Sequence, residues 1–157
     1  MTAPLLELKN VSKRFGGVQA VREMTFTINE GELAGLIGPN GAGKTTIFNL
    51  ITGVYDVSEG DIIFKENNIN KLKTFQVIGL GIARTFQNLR LFSASTVLEN
   101  VMTAAQQRYK YSFAEAVTHL GRWKKMEDGA RDESMELLRR VGLEDRAEQA
   151  AGTLPYG

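Results

Sequence analysis

The chain has no cysteine among its 157 residues. That excludes disulfide bonds, a thiolate zinc site and a thiol nucleophile. Histidine and tryptophan occur once each, as His119 and Trp123. His119 lies in a charged stretch, where a solvated or half-buried ring is a simpler reading than chemistry. Neither sign of charge dominates: 19 Lys and Arg against 18 Asp and Glu leave a net charge of +1. That balance gives no strong pull toward nucleic acid, and no nucleic-acid partner is expected. No apolar run approaches the roughly 20 residues that a membrane-spanning helix needs. The opening MTAPLLELKN places Glu7 inside the first apolar stretch and does not read as a signal peptide. Internal repeats, low-complexity tracts and long linkers are also missing. The composition leaves the expectation of a soluble, cytoplasmic α/β domain that meets a membrane only through a partner.

What is present is concentrated in residues 33–46, LAGLIGPNGAGKTT. Gly38, Gly43, Lys44 and Thr45 satisfy the phosphate-loop pattern G-x-x-x-x-G-K-[ST] without a mismatch. The apolar run 33–37 reads as a buried strand feeding the loop, and the stretch from about Lys44, completed by residues 46–52, as the helix behind it. A polyphosphate is dense in negative charge and needs many donors at short range. Gly38, Gly41 and Gly43 let the backbone bend so that successive N–H groups face one cavity. The following helix adds its positive end. Lys44 is placed to reach the β- and γ-phosphates as a point charge, the Thr45 hydroxyl to sit on Mg²⁺, and Thr46 to add a hydroxyl at the α-phosphate.

Around that loop, residues 5–11 alternate apolar and polar and read as a strand. Lys13-Arg14-Phe15-Gly16-Gly17 reads as a turn, residues 18–21 and 24–28 as further strands, and residues 29–32 as a tight turn. The opening is therefore antiparallel β. Phe15, in a turn near the phosphate loop, can stack on a purine; its spacing is equally compatible with ordinary packing. Gly53 reads as a helix cap, residues 58–60 and 66–68 as turns, 61–64 as a strand and 74–78 as a short helix. Residues 81–86, GIARTF, read as a strand with Gln87 at its end. Helical signals follow. Thr96 and Glu99 form a capping box, and Ser112 and Glu115 a second. Val97, Leu98, Val101, Ala104 and Ala105 make an apolar face. Residues 128–141 read as a helix closed by Gly142, with Asp132 and Glu133 early and Arg139 and Arg140 late, as the helix dipole prefers. A weaker helix is expected over 143–150. Trp123 reads as a surface edge, residues 124–133 as a solvated face, and Met102, Met126 and Met135 as packing. The boundary falls near Asn88, with residues 1–87 a β-rich nucleotide part and 88–157 helical.

These features, in this order, resemble the ABC-type ATPases. The turn aromatic Phe15 resembles their adenine-stacking residue, GPNGAGKTT is their usual phosphate loop, ARTFQ at 83–87 resembles their Q-loop, and LPYG at 154–157 the first half of their signature motif. The stretches LIGPNGAGKTTIFNLITGVY and GIARTFQNLRLFSASTVLENV resemble, more finely, the ATP-binding subunits of branched-chain amino acid importers. The resemblance implies a P-loop NTPase fold of ABC type: an antiparallel β subdomain, a partial parallel core that is incomplete here, and a helical subdomain. It implies that Phe15 stacks adenine, and that Gly38, Pro39, Asn40, Gly41, Ala42, Gly43, Lys44, Thr45 and Thr46 hold ATP. It implies that Gln87 reaches Mg²⁺ or the attacking water, which makes Lys44 and Gln87 the catalytic candidates and Thr45 and Gln87 the metal contacts. The implied partners are a second ATP-binding subunit, head to tail, and integral-membrane permease subunits docked on the helical part at the inner face of the membrane.

The chain also departs from that pattern. No apolar run ending in Asp-Glu follows Gln87, and His119 precedes the signature, where it cannot serve as a switch histidine. Where many relatives carry Ser-Gly, this chain has Pro155-Tyr156. Slow or absent turnover is therefore expected of the chain alone, and an apolar strand 33–37 without its neighbours is expected to make the chain either self-associate or be less stable than a whole domain. Other nucleotide proteins fit less well. A GTPase needs N-K-x-D, but Asn70-Lys71-Leu72-Lys73 puts a lysine at the aspartate's place. An arginine-rich kinase lid is missing, as are the inserted coiled coils of non-transport ABC-type ATPases. A nucleotide-binding fragment without turnover stays compatible with the importer reading.

Overall fold

The computed structural model describes residues 4–85, 90–105, 109, 115 and 122–155. They fall into two units, residues 1–85 and 86–157.

The first unit is built on strands β1 (Leu6–Phe15), β2 (Val18–Ile28), β3 (Glu59–Phe64) and β4 (Asn67–Asn68). They form one sheet in the order β2-β1-β3-β4. Its described pairings are all antiparallel. The segments 18–21 and 24–28 are one strand, not two. Between the pairs Val11↔Met24 and Lys13↔Val21 the ladder carries an extra residue. Glu23 absorbs it at φ 45°, and its N–H donates to the buried Ser12 hydroxyl at 2.9 Å. β1 continues through Phe15, so the expected five-residue turn shrinks to Gly16-Gly17. The turns expected at 58–60 and 66–68 also give way to ladder, because Glu59 pairs with Ser12 and Asn67 with Phe64. Only Lys65 and Glu66 turn there, at φ 47° and 67°, the left-handed conformations a two-residue hairpin loop requires.

Helix α1 (Lys44–Ile51) lies against this sheet, and α2 (Thr74–Gly79) follows β4. α1 begins at Lys44, where the helix was expected to open. Its Ile47, Leu50 and Ile51 fall at i, i+3 and i+4 and are buried. They join Leu6, Leu8, Val11, Val21, Ile62, Phe64, Ile69 and Val77 in one core. Residues 33–37 differ from expectation: they form no strand, and Leu33 and Ile37 are 99% and 96% exposed. An apolar strand is stable only when a neighbour satisfies its N–H and C=O groups and covers its side chains. Among the described residues no strand pairs with it. Residues 82–85 are likewise irregular, so the strand expected over 81–86 is not seen in its described part.

The second unit contains α3 (Val97–Ala105) and α4 (Trp123–Arg140). The first capping box is formed as read: the Thr96 N–H donates to Glu99 Oε2 at 2.7 Å, and the Glu99 N–H to Thr96 Oγ1 at 3.1 Å. Val97 and Leu98 are buried with Leu138, Ala147 and Ala151, and Met102 and Met135 pack on them. Ala104 is exposed. α4 starts five residues before the expected 128 and stops at Gly142, whose φ of 70° ends it. Trp123, expected as a surface edge, is half-buried at its start. The weak helix over 143–150 is instead a 3₁₀ turn, Glu144–Arg146, with a second at Ala151–Thr153. Gln87, Ser112, His119, Tyr156 and Gly157 lie outside the described residues, so the second capping box and the Q-loop glutamine do too.

Candidate nucleotide site

The site is assembled at the start of α1. Gly43 is the N-cap at φ 83°, and Gly41 has the same value. A Cβ on Gly43 would run into the Ala20 carbonyl oxygen of β2, so loop and hairpin meet where only glycine fits. The Ala42 N–H closes a turn onto the Pro39 carbonyl at 3.2 Å. Lys44 Nζ reaches back across the loop and donates to the carbonyls of Gly38 and Pro39, at 2.5 and 2.7 Å.

The first bond inside the helix runs from the Ile47 N–H to the Gly43 carbonyl, 3.0 Å. The N–H groups of Gly43, Lys44, Thr45 and Thr46 therefore precede the ladder. No side-chain oxygen caps them, and the first turn carries no acid. Four N–H groups, a helix dipole and one ammonium converge on one place without a negative neighbour in that turn, which suits an anion. Thr45 is exposed there and Thr46 half-exposed. Among the described residues no group of three Asp, Glu or His is placed to hold a metal.

Phe15 joins the same unit. It pairs with Val18 at the end of the β1–β2 hairpin, and Val18 is two residues, about 7 Å, from Ala20, whose carbonyl abuts Gly43. The Phe15 ring meets Tyr55 edge to face, with centroids 5.1 Å apart and planes at 78°. Lys13 Nζ lies 5.1 Å from the centre of Phe15 and 5.9 Å from that of Tyr55, and donates to the Asp56 carbonyl at 2.6 Å. Arg84 of the ARTFQ stretch donates to Asn49 Oδ1 of α1 at 2.6 Å, with its guanidinium 5.9 Å from the Phe48 ring centre. Tyr55, Asn49 and Arg84 were not singled out from the sequence, and Lys13 was read only as part of the turn that carries Phe15.

A cavity of about 680 Å³ opens beside α1, with Phe26, Ile28, Leu36, Ile47 and Ile82 among its lining residues. Its walls are mostly apolar and include none of residues 38–46, so it is not the phosphate site. Ala34, Gly35 and Leu36 form part of its wall, with Leu36 packed on the core.

A glycine loop capping a helix, with its lysine folded across it, defines a P-loop nucleotide-binding protein. Residues 21–157 match the ABC transporter family, and the chain belongs to it. It is 38% identical over 157 residues to the high-affinity branched-chain amino acid transport ATP-binding protein LivG of Salmonella typhimurium, covering 100% of this chain and 62% of that protein. It is 36% identical over the same length to BraF of Pseudomonas aeruginosa, a protein of the same description, again covering 62% of it. The chain thus spans less than two thirds of the length of these relatives. Among solved structures, the ADP conformation of MJ1267, an ATP-binding cassette of an ABC transporter, superposes with a TM-score of 0.76 at 28% identity, covering 99% of this chain and 60% of that one. The dimeric post-hydrolysis cassette MJ0796, bound to ADP and Pi, superposes with a TM-score of 0.70 at 25% identity, covering 96% and 63%. No described helix is long and apolar enough to cross a membrane.

Proposed function

We propose that this chain is the nucleotide-binding portion of an ATP-binding subunit that powers an ABC importer of branched-chain amino acids. The observation that carries the reading is the capless N-terminus of α1, with Lys44 braced across the loop, in a chain similar along its whole length to branched-chain amino acid transport ATP-binding proteins. Gly38, Pro39, Asn40, Gly41, Ala42, Gly43, Lys44, Thr45 and Thr46 hold the triphosphate, and the Thr45 hydroxyl holds Mg²⁺. Lys44 exchanges its two carbonyl partners for phosphate oxygens, a charge-assisted contact of the stronger kind. Phe15 stacks the adenine, and Gln87 contacts Mg²⁺ or the attacking water. Bound ATP supplies the phosphoanhydride whose cleavage drives transport.

In that reading residues 1–87 hold the nucleotide and residues 88–157 dock on integral-membrane permease subunits at the cytoplasmic face, with a second ATP-binding subunit head to tail. In-line attack on the γ-phosphate needs a positioned water and a second hold on Mg²⁺. No Asp-Glu ending an apolar run follows Gln87 to provide them. The chain alone is therefore expected to bind ATP and to turn it over slowly or not at all. Titration with ATP and GTP, each with Mg²⁺, together with a phosphate-release assay, tests this. ATP preferred over GTP with negligible release is the expected result. GTP bound far better than ATP would refute the adenine assignment. Release at the rate of a full-length relative, lost on Lys44→Ala, would refute the account of turnover.

A further inference from the structure

Phe15 is not a lone aromatic. Tyr55, Phe15 and Lys13 form a cluster in which both rings stay part-exposed, 42% for Phe15 and 38% for Tyr55. A surface contact of that kind buries little apolar area, so its geometry matters more than its contribution to the core. Tyr55 is fastened on two sides. The Val54 and Tyr55 N–H groups both donate to the Asn49 carbonyl, at 2.9 and 3.2 Å, which folds the chain back over the end of α1. Three residues on, the Ser58 N–H donates to the Ser12 carbonyl at 2.9 Å, and Ser58 Oγ accepts from the Arg14 N–H at 3.0 Å. Tyr55 is thus tied both to the helix that opens from the phosphate loop and to the strand that ends in Phe15.

We propose that Tyr55, braced by Lys13, is a positioning residue for the nucleotide base: its edge-to-face contact fixes the Phe15 ring so that the ring's exposed surface is presented to a purine. This rests on the reading that residues 38–46 hold the triphosphate. A stacking platform works only if its plane is set before the ligand arrives, because ordering a free rotor on binding costs affinity. A T-shaped contact on one side fixes that plane, and the Lys13 ammonium lies within cation–π range of both rings. Among the described residues no hydrogen bond or ring contact joins Tyr55 to residues 38–46, so its effect is expected on the base and not on the phosphates.

Inorganic tripolyphosphate separates the two parts of the site. ATP and tripolyphosphate, each with Mg²⁺, are titrated calorimetrically into the 157-residue chain and into Tyr55→Ala, Tyr55→Phe, Phe15→Ala and the Phe15→Ala/Tyr55→Ala double variant. Tyr55→Ala is expected to weaken ATP between about twofold and tenfold, the range of one aromatic pair. Tripolyphosphate should stay within about twofold, Tyr55→Phe should retain ATP affinity, and Tyr55→Ala should add nothing once Phe15 is gone. Equal weakening of both ligands, no effect on ATP, or a full effect without Phe15 would each overturn the inference. Lys44→Ala, run alongside, distinguishes the two levels. Undiminished tripolyphosphate binding in that variant overturns the phosphate site itself, whereas the three failures of Tyr55 leave the Lys44 effect in place.

Discussion

Two apolar stretches flank the phosphate loop and meet opposite fates. On the far side, Ile47, Leu50 and Ile51 are buried. On the near side, Leu33 and Ile37 stand 99% and 96% exposed. Hydrophobicity does not separate them. A helix satisfies its own backbone and needs only a surface to lie on, which the β1–β3 sheet provides. A strand needs a neighbour for its N–H and C=O groups before burial can begin. The proposed grip on phosphate rests on the first kind of segment and not on the second.

Mutations sharpen that contrast. Ile47→Ala should cost about 2–5 kcal/mol in denaturant unfolding, as for buried isoleucines elsewhere; a loss under ~1 kcal/mol would mean that α1 does not pack as described. Thr96→Ala removes a helix signal that is equally local, in the other unit. Its cost should be about 1 kcal/mol, with α3 content falling in far-ultraviolet circular dichroism. Ile37→Ala should change stability by less than ~0.5 kcal/mol. The exposed run should act on association instead. Light scattering at rising concentration is expected to show species larger than a monomer, reduced by Leu33→Asp with Ile37→Asp. A clean monomer with cooperative unfolding at ordinary stability contradicts this.

The smallest effect lies on α4. Hydrogen bonds from Arg140 and then Arg139 hold the Glu136 carboxyl below its usual range. Arg139 is raised in turn, by Glu144 first and Glu136 second. A depressed carboxylate stabilises the fold above its unfolded pKa, and that contribution fades as pH falls through the folded value. Glu136→Gln should therefore slightly flatten the loss of stability in acid and change little at neutral pH. Glu136 and its arginine partners are exposed side chains, and an effect larger than that of Thr96→Ala would show them to be coupled to the core.

Legibility in the sequence followed the same division. Elements specified within a few residues were read correctly: the phosphate loop, the Thr96–Glu99 box, the Gly142 stop and the antiparallel opening. Elements that depend on distant partners were not. Residues 33–37 read as a strand because they are apolar, but no sequence pattern says whether a neighbour is present. The Glu23 bulge that joins β2 needs the Ser12 hydroxyl across the ladder, and the ladder pairs of Glu59 and Asn67 need β1 and β3. Phe15 was picked out, while Tyr55, its edge-to-face partner, lies forty residues away and became visible only when the chain was folded.

The central claim is that the amides at the start of α1 and the Lys44 ammonium grip a triphosphate. Calorimetric titration of Mg²⁺–ATP into the chain and into Lys44→Ala tests it most directly. The account predicts one site per chain, weakened at least tenfold by the substitution, since a hydrogen bond to a charged group contributes about 1.5–3 kcal/mol. Equal affinity in the two proteins, or no binding in either while both remain folded, would contradict it.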